Sequence, residues 1–184
     1  MKTFILTLLF PLLTLNQNRL YLFVGDSPVL SRKFPIQFSF HKEFPSNKKK
    51  EMIEEMKSFN QVAGFEVFSV GEDIDSQNRY LTFKNGLYWK SRDSFKIGEQ
   101  ARTLTLYFGI SIFKRDILFN DAYPYVDFRT LARHELMHSL GLQHTHDKKL
   151  MYPYLGDFVS RSWDLDLVKD WKKQLGIVDS LVKN

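Results

Sequence analysis

The 184-residue chain contains no cysteine. That excludes disulfides, thiolate metal sites and lipidated cysteines, and it removes the redox clue to compartment. No tract is long and polar enough to stay disordered, and there are no internal repeats or low-complexity segments. Concentrated positive charge is missing too. The net charge is +5, but Lys and Arg are scattered. The one cluster, Lys48, Lys49 and Lys50, is followed by Glu51, Glu54 and Glu55, and it reads as a solvated helix face rather than a nucleic-acid patch. No apolar run reaches the roughly 20 residues that span a bilayer comfortably.

What remains is an ordinary globular composition, 43% hydrophobic and rich in Phe. The length suits one domain. At the start, Lys2 precedes the apolar stretch Phe4 to Leu15 and then polar Asn16, Gln17 and Asn18, which reads as a secretory signal peptide. No A-x-A-type cleavage site follows, and an uncleaved anchor or a buried N-terminal strand is the competing reading. The expected division is a signal peptide over 1–18, a short pro-segment or N-terminal extension over 19–33, and the main folded domain over 34–184. The expected location is secreted or extracellular, with the periplasm as a variant of it, and with no stable membrane insertion once the signal is removed.

Past residue 33, Phe34, Ile36, Phe38 and Phe40 alternate with polar residues, which predicts a half-buried strand. Met52, Ile53, Met56, Phe59, Val62 and Ala63 follow at helical spacing and stop at Gly64. A short strand is expected at Phe65–Phe68. Tyr80–Phe83 and Leu87–Trp89 flank Asn85-Gly86, a strong hairpin signal. Strands are expected at Thr103–Phe108 and Lys114–Phe119. Asp127 is placed to cap a helix from about Phe128 to Leu140, and a last helix is expected from Asp164 to Leu175, ended by Gly176. The order describes an α+β domain.

The chemistry concentrates in His134-Glu135-Leu136-Met137-His138, continued through Gly141 to His144. Histidines four apart lie on one face of a helix and can share one zinc ion. Glu135, beside the first ligand, reaches a zinc-activated water without binding metal and serves as general base. Gly141 permits the sharp turn that returns His144 as third ligand. A three-histidine set leaves a fourth position open, the mark of a catalytic zinc site. The five-residue pattern alone is weak, but Gly141 and His144 make chance occurrence roughly a thousandfold rarer.

The long motif with Met151-Tyr152-Pro153 downstream resembles the metzincin signature. With Thr145 after the third histidine, it is most similar to the matrixins, the matrix metalloproteinase-like peptidases. The segments 126–132 and 116–120 resemble the lead-in to that family's active helix and the strand before it, and the likeness extends loosely over residues 34–176. The resemblance implies the metzincin fold: a twisted mixed sheet with an antiparallel edge strand, an active-site helix and a C-terminal helix. It implies that Met151 floors the metal site in a Met-turn. It implies that Thr103, Leu104, Thr105 and Leu106 form the edge against which an extended peptide lies, and that Pro153 and Tyr154 wall the main pocket.

The chain departs from the family in several ways. Besides the three catalytic histidines only His41 and His146 remain, too few for the three-histidine-plus-aspartate structural zinc site, so one zinc is expected. His41 falls on the polar face of its strand and His146 reads as a surface residue. Calcium could be taken only by the acidic cluster Gly71–Asp75, for which a solvated loop is the simpler reading. No cysteine is available for a latency switch. Asp26 is a candidate to cover the zinc instead. The resulting expectation is an exported, monomeric zinc metalloendopeptidase acting on protein or peptide substrates. A non-catalytic zinc-containing protein-binding module and a non-peptidase zinc hydrolase are its rivals; intact Glu135 and the Met-turn argue against them.

Overall fold

The computed structural model describes residues 33–75, 84–91, 94–108, 111–122, 127–146, 149–153 and 162–177. In chain order these form β1 (Ile36–Phe40), α1 (Ser46–Ala63), β2 (Phe68–Val70), β3 (Asn85–Lys90), β4 (Ala101–Phe108), β5 (Ser111–Asn120), α2 (Phe128–Ser139) and α3 (Leu165–Gln174). The strands make one mixed sheet in the order β2-β1-β3-β5-β4. β1 runs parallel to β2 and β3, and β3 parallel to β5, while β4 is antiparallel to β5. Parallel neighbours cannot be joined by a tight turn, so α1 carries the chain back between β1 and β2. The fold is α+β, as the order of elements implied, with an antiparallel edge strand, as the family resemblance implied.

The period-two alternation of β1 turns Ile36, Phe38 and Phe40 to one face. Leu87, Ile117 and Phe119 join them there, and against this face pack Met52, Met56 and Phe59 of α1, Leu136 and Met137 of α2, and Val168 and Trp171 of α3. Aromatic rings dominate the filling: Phe59 meets Trp163 at 4.9 Å, and Phe119 meets Phe128 at 5.0 Å between centroids. Rings of this size bury the most area per residue, and tilted contacts suit their quadrupoles. The opposite face has a smaller cluster of Ile74, Tyr88 and Leu118.

α1 ends where the sequence predicted, with Gly64 in the left-handed conformation at φ 81°. Its start differs. Pro45 occupies the cap position and no side chain caps the helix. β2 also begins later than expected. The amides of Val67 and Phe68 both donate to Asn60 Oδ1 at 2.9 Å, so a helix side chain takes up the start of that segment.

The Asn85-Gly86 hairpin expectation is overturned. Both residues lie inside β3, flanked by the parallel strands β1 and β5. Asn85 works as a bridge: its Nδ2 donates to Gln37 O at 2.9 Å and its Oδ1 accepts from Arg115 N at 2.9 Å. Gly86 is needed for space, because a Cβ there would sit 2.2 Å from the Tyr88 ring. The partner strand proposed at Tyr80–Phe83 lies outside the described residues.

Two polar residues are buried against expectation. His41, assigned to the solvent side, is 2% exposed, covered through its bridge to Ile74 and its contact with the Tyr88 ring. Glu55, assigned to the solvated face of α1, is 1% exposed and forms the clamp between two helices. Arg129 donates to its Oε1 at 2.8 Å and Arg133 Nε to its Oε2 at 2.6 Å, while Arg129 also pairs with Glu54. A buried carboxylate between two guanidinium groups is paired on both oxygens, and losing it leaves Arg129 with Glu54 and removes the Glu55 bond from Arg133. Glu55→Ala is expected to cost about 2–3 kcal/mol, read as a fall of roughly 5–10 °C in the thermal unfolding midpoint. An unchanged midpoint would show that the clamp contributes nothing.

Candidate metal centre

α2 starts at a well-made cap. Asp127 Oδ1 accepts from Arg129 N at 3.2 Å and its Oδ2 from Thr130 Oγ1 at 2.7 Å. The helix buries Leu131, Leu136 and Met137. His134 and His138, one turn apart, share one face of the helix. The helix stops at Leu140, and Gly141 turns the chain at φ 93°, a conformation only glycine takes without strain. At the same end, Arg115 of β5 donates from Nε to Ser139 O at 2.7 Å, satisfying a carbonyl that the helix leaves open.

The turn brings His144 back. The three Nε2 atoms then stand 3.0 Å (His134 and His138), 3.1 Å (His138 and His144) and 3.2 Å (His134 and His144) apart. Tetrahedral zinc with Zn–N bonds of roughly 2.0–2.1 Å puts its ligand nitrogens about 3.3 Å apart, so the spacing suits that ion. The donor chemistry suits it as well. His134 Nδ1 lies 2.6 Å from Leu150 O, and His138 Nδ1 lies 2.8 Å from Leu142 O. A carbonyl only accepts, so each Nδ1 carries the hydrogen and each Nε2 presents a lone pair. Burial, with the charge of His144 adding to it, pushes His134 down to about 4 against the opposing pull of the Leu150 carbonyl. His138 is also held well below the usual imidazole value, chiefly by burial and then by His134 and His144. Neutral imidazole is the form that binds metal. Among the described residues this is the one group of three such side chains whose ligand atoms all lie within 4.8 Å of one another, so it could hold a metal ion.

Glu135 follows the first of these histidines in sequence and is buried. It is 4% exposed. Burial raises its carboxyl to about 7, with Glu99 adding to the rise, against the hydrogen bond from Thr103 and the charge of Arg102. A cation held by the neighbouring histidines would favour the ionised form.

The remaining expected residues are placed as follows. Met151 is wholly buried. Its carbonyl accepts from Thr145 N at 2.9 Å, and the preceding carbonyl, Leu150 O, orients His134, so the turn at 149–152 is tied to the histidine loop at two points. Thr103, Leu104, Thr105 and Leu106 lie on β4, which has β5 on one side and is the edge of the described sheet. Leu106 is exposed, whereas Thr103 reaches Glu135. Pro153 is exposed. Tyr154 and Asp26 lie outside the described residues. The acids of the 71–75 segment meet lysines: Glu72 with Lys84, Asp73 with Lys49 and Asp75 with Lys42. His146 is exposed.

Sequence reasoning missed the carbonyls of Leu142 and Leu150, the Arg115 cap and the contact of Thr103 with Glu135. The carbonyls belong to every residue alike and leave no mark in a sequence. The model of the matrixin family matches residues 32–173 of the chain. No curated protein matches it.

Zinc binding to the native state alone raises stability by about 2.7 kcal/mol at a free concentration a hundredfold above its dissociation constant. Adding zinc to metal-free protein is therefore expected to lift the unfolding midpoint by roughly 5–10 °C, with one zinc per chain by elemental analysis. His138→Ala should abolish most of that rise; a rise of the same size in the variant would place the metal elsewhere.

Proposed function

The chain belongs to the matrixin family, and from that premise we propose that it is an exported zinc-dependent endopeptidase that hydrolyses peptide bonds in proteins. The observation that carries this is the convergence of three imidazole nitrogens to within 3.0–3.2 Å of one another, next in sequence to a buried carboxylate. His134, His138 and His144 would hold the ion. When bound there, zinc supplies Lewis acidity, which makes a water easier to deprotonate and a carbonyl easier to attack.

The work of this chain's own residues follows from their placement. Glu135 is the general base. Its Oε2 is engaged by the Thr103 hydroxyl, so Oε1 takes the proton from the attacking water and returns it to the departing amine. The hydrogen bonds from His134 and His138 to backbone carbonyls keep both rings in one tautomer throughout. Met151 fills the space under the histidine loop as packed apolar volume.

β4 is the platform for substrate. The outer side of an edge strand offers backbone N–H and C=O groups, and an extended peptide can add there as a further strand, with side-chain pockets choosing among sequences. Thr103 to Leu106 supply that backbone, and Pro153 with Tyr154 supplies a pocket wall. Asp26, in a segment ahead of the domain, is the candidate for latency. Export rests on Lys2 and the apolar run Phe4–Leu15. No helix among the described residues is long and apolar enough to cross a membrane. The working form is a monomer outside the cell.

Glu135→Ala is expected to retain zinc and lose peptide cleavage by roughly a hundredfold or more, measured on casein or a quenched peptide with metal content in parallel. Cleavage at the wild-type rate by a clean preparation of that variant would refute the role of Glu135. Zinc-loaded wild-type protein that cleaves no peptide would make the chain a binding module. Removing zinc with a chelator should abolish activity and adding it back should restore it; activity that survives metal removal would sink the zinc mechanism.

A further inference from the structure

Thr103 sits on β4, opposite Ile117 in the antiparallel ladder. Its side chain crosses from the sheet edge to α2, where Oγ1 lies 2.6 Å from Glu135 Oε2 and 3.2 Å from the backbone oxygen of the same residue. A threonine hydroxyl carries one hydrogen. The shorter contact, to a carboxylate, is the stronger of the two and takes it. Glutamate has three side-chain torsions, and a carboxylate buried at 4% exposure has little water to hold it in place. Threonine is β-branched, stiff at χ1, and here its backbone is fixed by the ladder. A rigid donor therefore meets a flexible acceptor.

We propose that Thr103 is the positioning residue for the general base: it locks the Glu135 side chain through Oε2 and leaves Oε1 to move the proton. This deepens the peptidase reading above and rests on it. The same contact has a second effect. β4 is the strand against which substrate would lie, and α2 bears both the base and two of the histidines. The hydroxyl ties the two elements where the scissile bond must meet the base, so the substrate platform and the catalytic carboxylate share one reference point. A misplacement of about 1 Å at such a point can cost on the order of a hundredfold in rate. The side chain of Thr103 thus acts inside the protein, while its backbone remains available at the edge.

The test compares Thr103→Val, which keeps the shape and removes the hydroxyl, with Thr103→Ser, which keeps the hydroxyl. Thr103→Val is expected to lower kcat roughly ten- to hundredfold, the range for a hydrogen bond to a charged group, with KM within about twofold of wild type and zinc content unchanged. Thr103→Ser should recover most of kcat. An unchanged kcat in Thr103→Val, a loss confined to KM or zinc content, or a serine variant as slow as the valine variant would each overturn the proposal. A thermal-unfolding double-mutant cycle with Glu135→Ala reads the contact without activity. Thr103→Val should shift the midpoint in the wild-type background and not in Glu135→Ala; equal shifts in both would overturn the contact. Zinc-loaded wild-type protein that cleaves no peptide would remove the role assigned to Thr103 together with the peptidase reading, and the cycle would still decide whether the contact exists.

Discussion

Two imidazole rings one helical turn apart turn their Nε2 lone pairs to the same point only if something fixes which nitrogen carries the hydrogen. Here that constraint is a pair of backbone carbonyls, Leu150 O against His134 and Leu142 O against His138. Each carbonyl can only accept, so each ring is forced into the tautomer that presents Nε2. Burial then disfavours protonation of both rings. These two rings are set to present their Nε2 lone pairs without any ion. That pre-organisation depends on two loops, 141–146 and 149–152, holding their backbone in place.

Much of the surrounding fold serves that requirement. The cap at Asp127, the clamp of Glu55 on Arg129 and Arg133, and the Arg115 bond to Ser139 O fix α2 at its start, along its side and at its end. The Met151 carbonyl bond to Thr145 N closes the two loops on each other. An aromatic core beneath supplies the apolar mass, so the polar clamps need only set position. The buried charges of Glu55 and Lys114 are paired, with Arg129 and Arg133 and with Asp116, which avoids the large penalty of a lone charge in the interior. Thr103 joins β4 to Glu135, and through that contact the sheet edge belongs to the same unit as the helix.

The legibility of these features follows their range. α2 could be read closely because its cap, its apolar face and its stop at Gly141 are all local, and the same holds for α1 from Met52 to Gly64. β1 was readable by alternation. β3 was misread: Asn-Gly is a turn signal when its neighbours are free, but here Asn85 bonds to the strands on both sides and Gly86 makes room for Tyr88. Glu55 and His41 looked exposed because their own elements place polar neighbours beside them; α2 and the loop at Ile74 bury them. No local pattern carries that information, since the covering residues lie far away in sequence.

By itself the sequence determined the donor set: two histidines at a spacing that a helix converts into a shared face, a carboxylate next to the first, a glycine where the chain must reverse, and a third histidine after it. Those are statements about a few adjacent peptide units, and helix geometry settles them. Only the tertiary structure decided that Thr103 among the residues of β4 meets Glu135, and that the carbonyls of Leu142 and Leu150 orient the rings. The reason is physical. A hydrogen bond of 2.6 Å between Thr103 and Glu135 requires strand order, register and helix packing to agree at once, and each of these is set by burial summed over the whole core.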